Sequence, residues 1–449
     1  MKTGVILTLK ISETGLDGDG IALAGSDFKV YVKNAVEGDV VKAVITEVHK
    51  SYAKAETVNI LRFSKLRTKP FCKYYDLCGG CQIQTLSYEA QLILKRKILE
   101  NVLKPFDCEI FDTLPSRKIF HYRNKALIPF AGDGNGGITA GIYEKNSHKI
   151  INCPDCKTEI REKPEILKVI ISHLKRYDIK PYDEKNGTGV LRHVLIRKGF
   201  FTGEIMVSLI VNAQEFPYEK LLTKQLLKAV PEIKTICVSS NLQKTNVING
   251  KDFHAVYGGG FITDLTGGIK YKISPLSFFQ INAFQTERLY EKVSEFAALT
   301  GSETVFDVYC GVGTISLFLA KKAKKVYGVE IVAQAVENAK ENAALNNIQN
   351  AEFFCGKAEE KIPELIETQH IKADIVIVDP PRQGCDKALL ETIAALKPQK
   401  FIYVSCNPQT FARDVKFLTD RGFRLKRVQP VDMFPHTTHI ECVGEIFCL

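Results

Sequence analysis

From about residue 271 the chain keeps one rhythm, and this rhythm restricts the fold more than any other feature. Thr304-Val305-Phe306-Asp307-Val308 is a short apolar run with strand character, and Ile315 to Ala323 has helical spacing. Lys325-Val326-Tyr327-Gly328-Val329-Glu330 is the next strand, and Ala333 to Asn346 the next helix. Ala373 to Asp379 and Lys400 to Val404 repeat the strand half of the pattern. Strands alternating with helices in this way bury both faces of a parallel sheet. The expected class is a doubly wound, Rossmann-like α/β domain with its ligands at the C-terminal ends of the strands.

The residues that can carry chemistry fall at those ends. Gly311-Val312-Gly313 lies between a strand and a helix, where glycine lets the backbone approach a ligand closely. Glu330 ends the next strand, 23 residues after Asp307, where a carboxylate can accept hydrogen bonds from ribose hydroxyls. The third glycine of a dinucleotide fingerprint would fall at Ser316, so a pyrophosphate ligand is disfavoured. S-adenosylmethionine, which has no pyrophosphate, suits the turn better. Asp379-Pro380-Pro381 closes a later strand and is followed by Arg382. Amine-methylating enzymes place an aromatic residue after a similar Asp-Pro-Pro, so Arg382 points instead to methylation of carbon.

Ser405-Cys406-Asn407-Pro408 sets a cysteine at the tip of the strand after Asp379, and Glu441 stands among Ile440, Cys442 and Val443. The two residue types answer one chemical need. C5 of a pyrimidine is a poor nucleophile until a thiolate adds to C6, after which a base must remove the C5 proton. Cys406 and Glu441 are therefore the expected nucleophile and base. His436 and His439 are alternatives for the base, or residues that shape the pocket or meet phosphate.

Upstream the pattern differs. Residues 1–62 alternate apolar and polar residues between glycine turns, as in a small β-barrel. Residues 63–270 form a mixed α+β region, and residues 271–449 form the α/β domain. The region from 63 opens on Cys72-x5-Cys78-x2-Cys81, with Cys153 and Cys156 further on. Four thiolates at these spacings hold zinc or an iron-sulfur cluster equally well. Arg62, Lys65, Arg67, Lys69 and Lys73 fall within twelve residues, interleaved with Phe63, Phe71, Tyr74 and Tyr75, and Lys95-Arg96-Lys97 follows. With a net charge of +10, this mixture suits a polyanion whose bases stack. No apolar run reaches the about 20 residues of a membrane span, and no secretory signal opens the chain. Thirteen scattered cysteines agree with a reducing cytoplasm. A monomer is the default expectation.

Taken together, Phe279-Gln280-Ile281-Asn282, Asp307 to Thr314, Gly328-Val329-Glu330, Asp379-Pro380-Pro381-Arg382, Ser405-Cys406-Asn407-Pro408 and His439-Ile440-Glu441 resemble the RNA uracil-5-methyltransferases, the RumA/RlmD and TrmA group. The resemblance extends over nearly the whole chain. It implies a TRAM/OB-like barrel at the N-terminus, Cys406 as nucleophile and Glu441 as base. It also implies S-adenosylmethionine contacts from Gln280, Tyr309, Gly311, Glu330 and Asp379, and Phe278 near the target base. It selects a [4Fe-4S] cluster on Cys72, Cys78, Cys81 and Cys153. The expected substrate is uridine in RNA, and the barrel and cluster together resemble the 23S rRNA enzymes more than the bacterial tRNA enzyme. The T-loop of tRNA is the alternative substrate. Cytosine-5 methylation, or a non-enzymatic iron-sulfur RNA-binding protein, are more distant rivals.

Overall fold

A computed structural model describes residues 1–449 except 26, 135, 245, 246 and 251, and the side chain of 369. Strands β1 (Ile6–Lys10), β2 (Glu13–Thr14), β3 (Gly20–Leu23), β4 (Lys29–Lys33), β5 (Val40–Val48) and β6 (Tyr52–Arg62) form a sheet of order β1-β5-β6-β4-β3-β2. The period of two is legible in β5, where Val41, Ala43 and Ile45 are buried and Lys42 faces out. These three join Leu9, Val30, Val32, Ala53 and Ala55 in the barrel core.

The cysteine-rich segment leads into α1 (Tyr88–Leu103), capped by the Ser87 hydroxyl, which accepts the Ala90 N–H. Helix α1 buries two faces. Ala90, Leu94 and Ile98 pack with Val36 of the barrel and Ile83 and Leu86 of the cysteine segment. Leu99 and Leu103 enter the core of the C-terminal domain. The short strand β7 (Glu109–Ile110) then joins the edge of the C-terminal sheet.

A second sheet follows, built from β8 (Lys125–Gly132), β9 (Ile138–Tyr143), β10 (Ile150–Asn152), β11 (Leu191–Lys198), β12 (Ile205–Val211), β13 (Ile233–Ser240) and β14 (His254–Tyr257). Its order is β10-β9-β8-β11-β12-β13-β14. Helices α2 (Lys163–Arg176) and α3 (Glu219–Ala229) cover one face through Ile166, Ile170, Leu222 and Leu226. A hairpin of β15 (Ile262–Thr266) and β16 (Ile269–Ile273) and helix α4 (Ala283–Ala297) connect it to the last domain.

That domain contains β17 (Thr304–Val308), α5 (Thr314–Ala320), β18 (Lys325–Glu330), α6 (Ala333–Leu345), β19 (Ala351–Cys355), α7 (Ala358–Gln369), β20 (Ile375–Val378), α8 (Lys387–Leu396), β21 (Lys400–Ser405), α9 (Pro408–Thr419), β22 (Phe423–Val431) and β23 (Glu441–Cys448). The sheet order is β19-β18-β17-β20-β21-β23-β22-β7. The strand order reverses between β17 and β20, the switch point where ligands bind in open α/β sheets. The expected doubly wound core is thus present from β17 to β21, with β23 antiparallel to β21. Packing also crosses the expected division of the chain. Residues of α1 and β7, which the sequence groups with the middle region, lie on the C-terminal sheet.

Candidate active site

Cys406 follows β21 directly, and Glu441 is the first residue of β23. These strands are antiparallel with Ser405 opposite Cys442, so one more step of the register sets Cys406 opposite Glu441. The half-buried Cys406 is followed by Asn407, whose side chain caps α9 by accepting the Gln409 N–H. The same Asn407 amide donates to the Arg382 carbonyl (2.9 Å), and the Thr410 hydroxyl donates to that carbonyl too (3.2 Å). Asp379-Pro380-Pro381-Arg382 is thereby fastened beside the thiol.

The electrostatics follow from this packing. Burial, then the Glu441 and Asp379 carboxylates, push the Cys406 thiol up to about 11, while Arg382 pulls it down. Glu441 is 4% exposed, and its Oε2 has no hydrogen-bond partner. Burial and then Asp379 hold its carboxyl well above the usual range, again opposed by Arg382. The sequence reading takes Arg382 only as a sign of carbon methylation; its charge beside the thiol and the carboxyl is not part of that reading.

Around the switch point, Asp379 accepts from the Gln280 side-chain amide (3.4 Å), and burial pushes its carboxyl up to about 7. Gln280 is itself fixed by Asn124, whose amide donates to its carbonyl (2.8 Å). Glu330 accepts the Gly311 N–H (3.1 Å) and the Val332 N–H (2.9 Å), which ties the two strand ends together. Tyr309 adopts a positive φ of 62° at the tip of β17, a conformation that costs free energy in a non-glycine residue and clusters at functional sites. Gly311 also has a positive φ, and a Cβ there would meet nothing within 4 Å, so the space over the turn is open to a ligand. Asp307 is fully buried, and its Oδ1 has no partner although the Ser316 hydroxyl donates to Oδ2 (2.5 Å). Burial pushes it too up to about 7. Asp307, Asp379 and Glu441 thus form a set of recessed carboxylates at neighbouring strand ends, suited to a cationic ligand such as a sulfonium. Phe278 is 70% exposed just before Phe279 and Gln280.

The two histidines separate. His436 is buried, with its ring nitrogens engaged by the Gln91 amide (3.3 Å) and the Ile119 carbonyl (3.0 Å). Its backbone carbonyl accepts the Gln82 and Ile83 N–H groups. Both of its ring nitrogens are engaged within the fold. His439 lines a cavity of about 720 Å³ with Thr438, Leu16 and Asp17 of the barrel, Gln82, and the turn Tyr143–His148.

Lys95-Arg96-Lys97, grouped in the sequence with the polyanion-binding residues, is otherwise employed. Lys95 is fully buried and paired with Asp432 (2.5 Å), Arg96 pairs with Glu100 and Asp112, and Lys97 with Glu37. Arg67 pairs with the buried Asp39 (2.6 Å). The basic surface of that segment is correspondingly smaller than the sequence suggested.

The cysteine segment meets the middle sheet through a bridge of Cys78 with Glu144 and a Lys145 N–H to Leu77 carbonyl bond (2.9 Å). This places Cys153, just beyond β10, and Cys156 in the neighbourhood of the triplet. Cys156 lies close enough to raise the thiols of Cys72, Cys78 and Cys81, in addition to the larger effect of burial. Cys153 is buried and shares a hydrogen bond with Cys156 that raises Cys153 and lowers Cys156. Among the described residues, however, no group of three or more Cys, His, Asp or Glu side chains stands in a metal-holding arrangement. The five thiols are neighbours without forming a finished cage.

Comparison with known proteins identifies the family. The family model described as tRNA (uracil-5-)-methyltransferase matches residues 87–446, and the TRAM domain model matches residues 2–58. An uncharacterized RNA methyltransferase of Halalkalibacterium halodurans is 43% identical, over 98% of this chain and 96% of its own. One of Clostridium acetobutylicum is 44% identical, over 96% of this chain and 95% of its own. The tRNA (uracil-54, C5)-methyltransferase of Pyrococcus abyssi, solved in complex with S-adenosyl-L-homocysteine, is similar with a TM-score of 0.77 and 31% identity. That similarity covers 98% of this chain and 99% of the archaeal one. With its family model matched from α1 to β23 and a solved relative aligned from end to end, the chain belongs to the tRNA (uracil-5-)-methyltransferase family and carries a TRAM domain at its N-terminus.

Proposed function

We propose that the protein methylates C5 of a uridine in RNA, with Cys406 as nucleophile and Glu441 as base. The observation that carries this reading is the Cys406–Glu441 juxtaposition across β21 and β23, beside Asp379 and Arg382. The Cys406 sulfur adds to C6, and the electron pair of the C5–C6 double bond makes C5 nucleophilic. S-adenosylmethionine supplies the electrophilic methyl group when bound. Glu441 then takes the C5 proton, the double bond re-forms, and the thiolate leaves. A carboxylate raised by burial is better matched to this proton than an ordinary one. Gln280, Tyr309, Gly311, Glu330 and Asp379 are the residues that would hold the cofactor, and Phe278 the residue that would meet the base. The open space over Gly311 and the recessed carboxylates support that assignment.

The substrate proposed is 23S rRNA, before or during ribosome assembly, because the cysteine segment accompanies the barrel. A second reading, tRNA, is favoured by the whole-length similarity to an archaeal tRNA enzyme, which means that a barrel does not by itself single out rRNA. Covalent trapping on 5-fluorouridine-substituted RNA with S-adenosylmethionine tests both. Fluorine at C5 cannot leave as a proton, so a denaturant-stable adduct with rRNA domains or with tRNA, absent in Cys406→Ala, identifies chemistry and substrate class. No adduct with either RNA counts against uracil methylation.

The cysteines are proposed to hold a [4Fe-4S] cluster on Cys72, Cys78, Cys81 and Cys153, as a structural brace. Its support is the soft donor set and the convergence of segments that are far apart in the chain. Since Cys156 neighbours all three triplet thiols, the decisive comparison is iron content and the visible charge-transfer band in Cys153→Ser and Cys156→Ser. Loss in the first alone fits the proposal, and loss in the second alone transfers the fourth position to Cys156.

A further inference from the structure

Lys125 on β8 and Arg197 on β11 are cross-strand partners. Their neighbours Ala126, Ile128, Val194 and Ile196 face the core under α2 and α3. Since side chains alternate along a strand, Lys125 and Arg197 lie on the other face. Arg197 is 4% exposed, and its guanidinium crosses to the loop before α4, where Nη2 donates to the Ser277 carbonyl (2.6 Å) and the Pro275 carbonyl (3.3 Å). Its Nε has no acceptor. Lys125 is half-buried. Burial pulls Lys125 down to about 8, with Arg197 adding to the effect, and burial alone pulls Arg197 down to about 10. Among the described residues no carboxylate pulls either back.

The lysines that are fully buried differ. Lys95 has Asp432 and Lys163 has Glu159, each at 2.5 Å. Two cations side by side, one buried and one half-buried, without a counter-ion oppose folding unless an anion completes them. The position says which anion. Asn124, the residue before Lys125, holds the Gln280 carbonyl by its side chain and the Ile281 carbonyl by its N–H (2.8 Å each). The carbonyls on Arg197 belong to the residues leading into the exposed Phe278. A cationic seat held to the loop that carries an exposed aromatic ring pairs a phosphate contact with a stacking surface, the two things single-stranded RNA offers.

We propose that Lys125, backed by Arg197, seats a phosphodiester of the RNA strand beside the uridine that enters the site. This rests on the uracil-methylation reading and adds a residue-level anchor to it. Arg197 supplies the second charge and fixes the loop, and Lys125 meets the phosphate.

The test is equilibrium binding of a short oligouridylate over a salt series, in the presence of S-adenosylhomocysteine, to wild type, Lys125→Met and Lys125→Arg. Losing one phosphate contact lowers the slope of log affinity against log salt by about 0.7 for a single strand. Lys125→Met is expected to show that loss with S-adenosylhomocysteine affinity unchanged, and Lys125→Arg to keep the wild-type slope. A wild-type slope in Lys125→Met overturns the proposal, as does a parallel loss of S-adenosylhomocysteine binding, which would place the effect in the cofactor pocket. The fluorouridine adduct of the wild type is scored separately. Its absence sinks the uracil-methylation reading, whereas a normal adduct with an unchanged slope in Lys125→Met sinks this inference alone.

Discussion

Burial, Glu441 and Asp379 all favour the protonated Cys406 thiol, and Arg382 is the side chain that opposes them, with a backbone hydrogen bond. With the thiol pushed up to about 11, only a small fraction is thiolate at pH 7 before substrate and cofactor arrive. Alkylation at Cys406, followed by mass spectrometry of its peptide, should therefore rise about tenfold per pH unit from pH 7 until near 11. Arg382→Met should slow it at every pH below that range, and equal rates in the two proteins would remove Arg382 from thiol activation. Glu441 gives a prediction of opposite sense for stability. A carboxyl raised in the folded state is penalised once the unfolded chain ionises, so stability falls as pH rises above its ordinary value of 4.5. Glu441→Gln should accordingly raise the melting temperature at pH 8 and leave it unchanged at pH 4, while abolishing turnover. A stabilising loss-of-function substitution is the signature of a group held for chemistry against the fold's preference. A lower melting temperature for Glu441→Gln at pH 8 would contradict this account.

At the scale of elements, α1 connects the cysteine segment to the strand that carries the base. Lys95 is fully buried, donating to Asp432 and to the Phe434 carbonyl, while the Tyr88 hydroxyl donates to the other Asp432 oxygen (2.8 Å). Gln91 binds both the N–H and the ring of His436. The segment Asp432–His436, which leads towards β23, is thereby held to this helix. Lys95→Met leaves Asp432 buried and unpaired, which should cost about 3–5 kcal/mol in denaturant unfolding. A Lys95→Met/Asp432→Leu double variant should recover much of that loss, and no recovery would mean that the pair is not the cause. This case also shows where reading a sequence stops. Helix Tyr88–Leu103 rests on local features, its apolar spacing and its Ser87 cap. The partner of Lys95 lies 337 residues away, so a run of three basic residues read as a polyanion surface when one of them was interior. Cys406, Glu330 and Asp379 stood out in the sequence because each closes an apolar strand, and Glu441 because it opens one. The charge of Arg382 beside the thiol was not legible, because the strands meet only in the fold, and the Lys125–Arg197 pair was not, because its meaning depends on which unlike groups are absent around it.

For the whole molecule, the net charge of +10 gives attraction to RNA but no address. The large sheets meet at the cavity that His439 lines. Its walls are drawn from the barrel, the cysteine segment, the middle sheet and the approach to Glu441. The barrel is seated by Val36 against Ile83, Leu86 and Leu94, and by Arg67, which spans Asp39 and the Asn34 carbonyl (2.8 Å). Asp39 is fully buried and also accepts the Val36 and Ser64 N–H groups, so it fixes the barrel's exit as well as its seat. Arg67→Ala strands that carboxylate without its cation and should loosen the barrel at a cost of about 3–5 kcal/mol. None of the cofactor-turn residues touches this pair, so S-adenosylhomocysteine affinity should remain within about twofold of wild type, as expected for distant, independent sites. RNA affinity should fall by tenfold or more, and limited proteolysis should cut the chain near residues 62–70. Retained RNA affinity together with cleavage at that point would mean that the barrel does not help to address the RNA, and that recognition resides in the middle sheet and the cysteine segment.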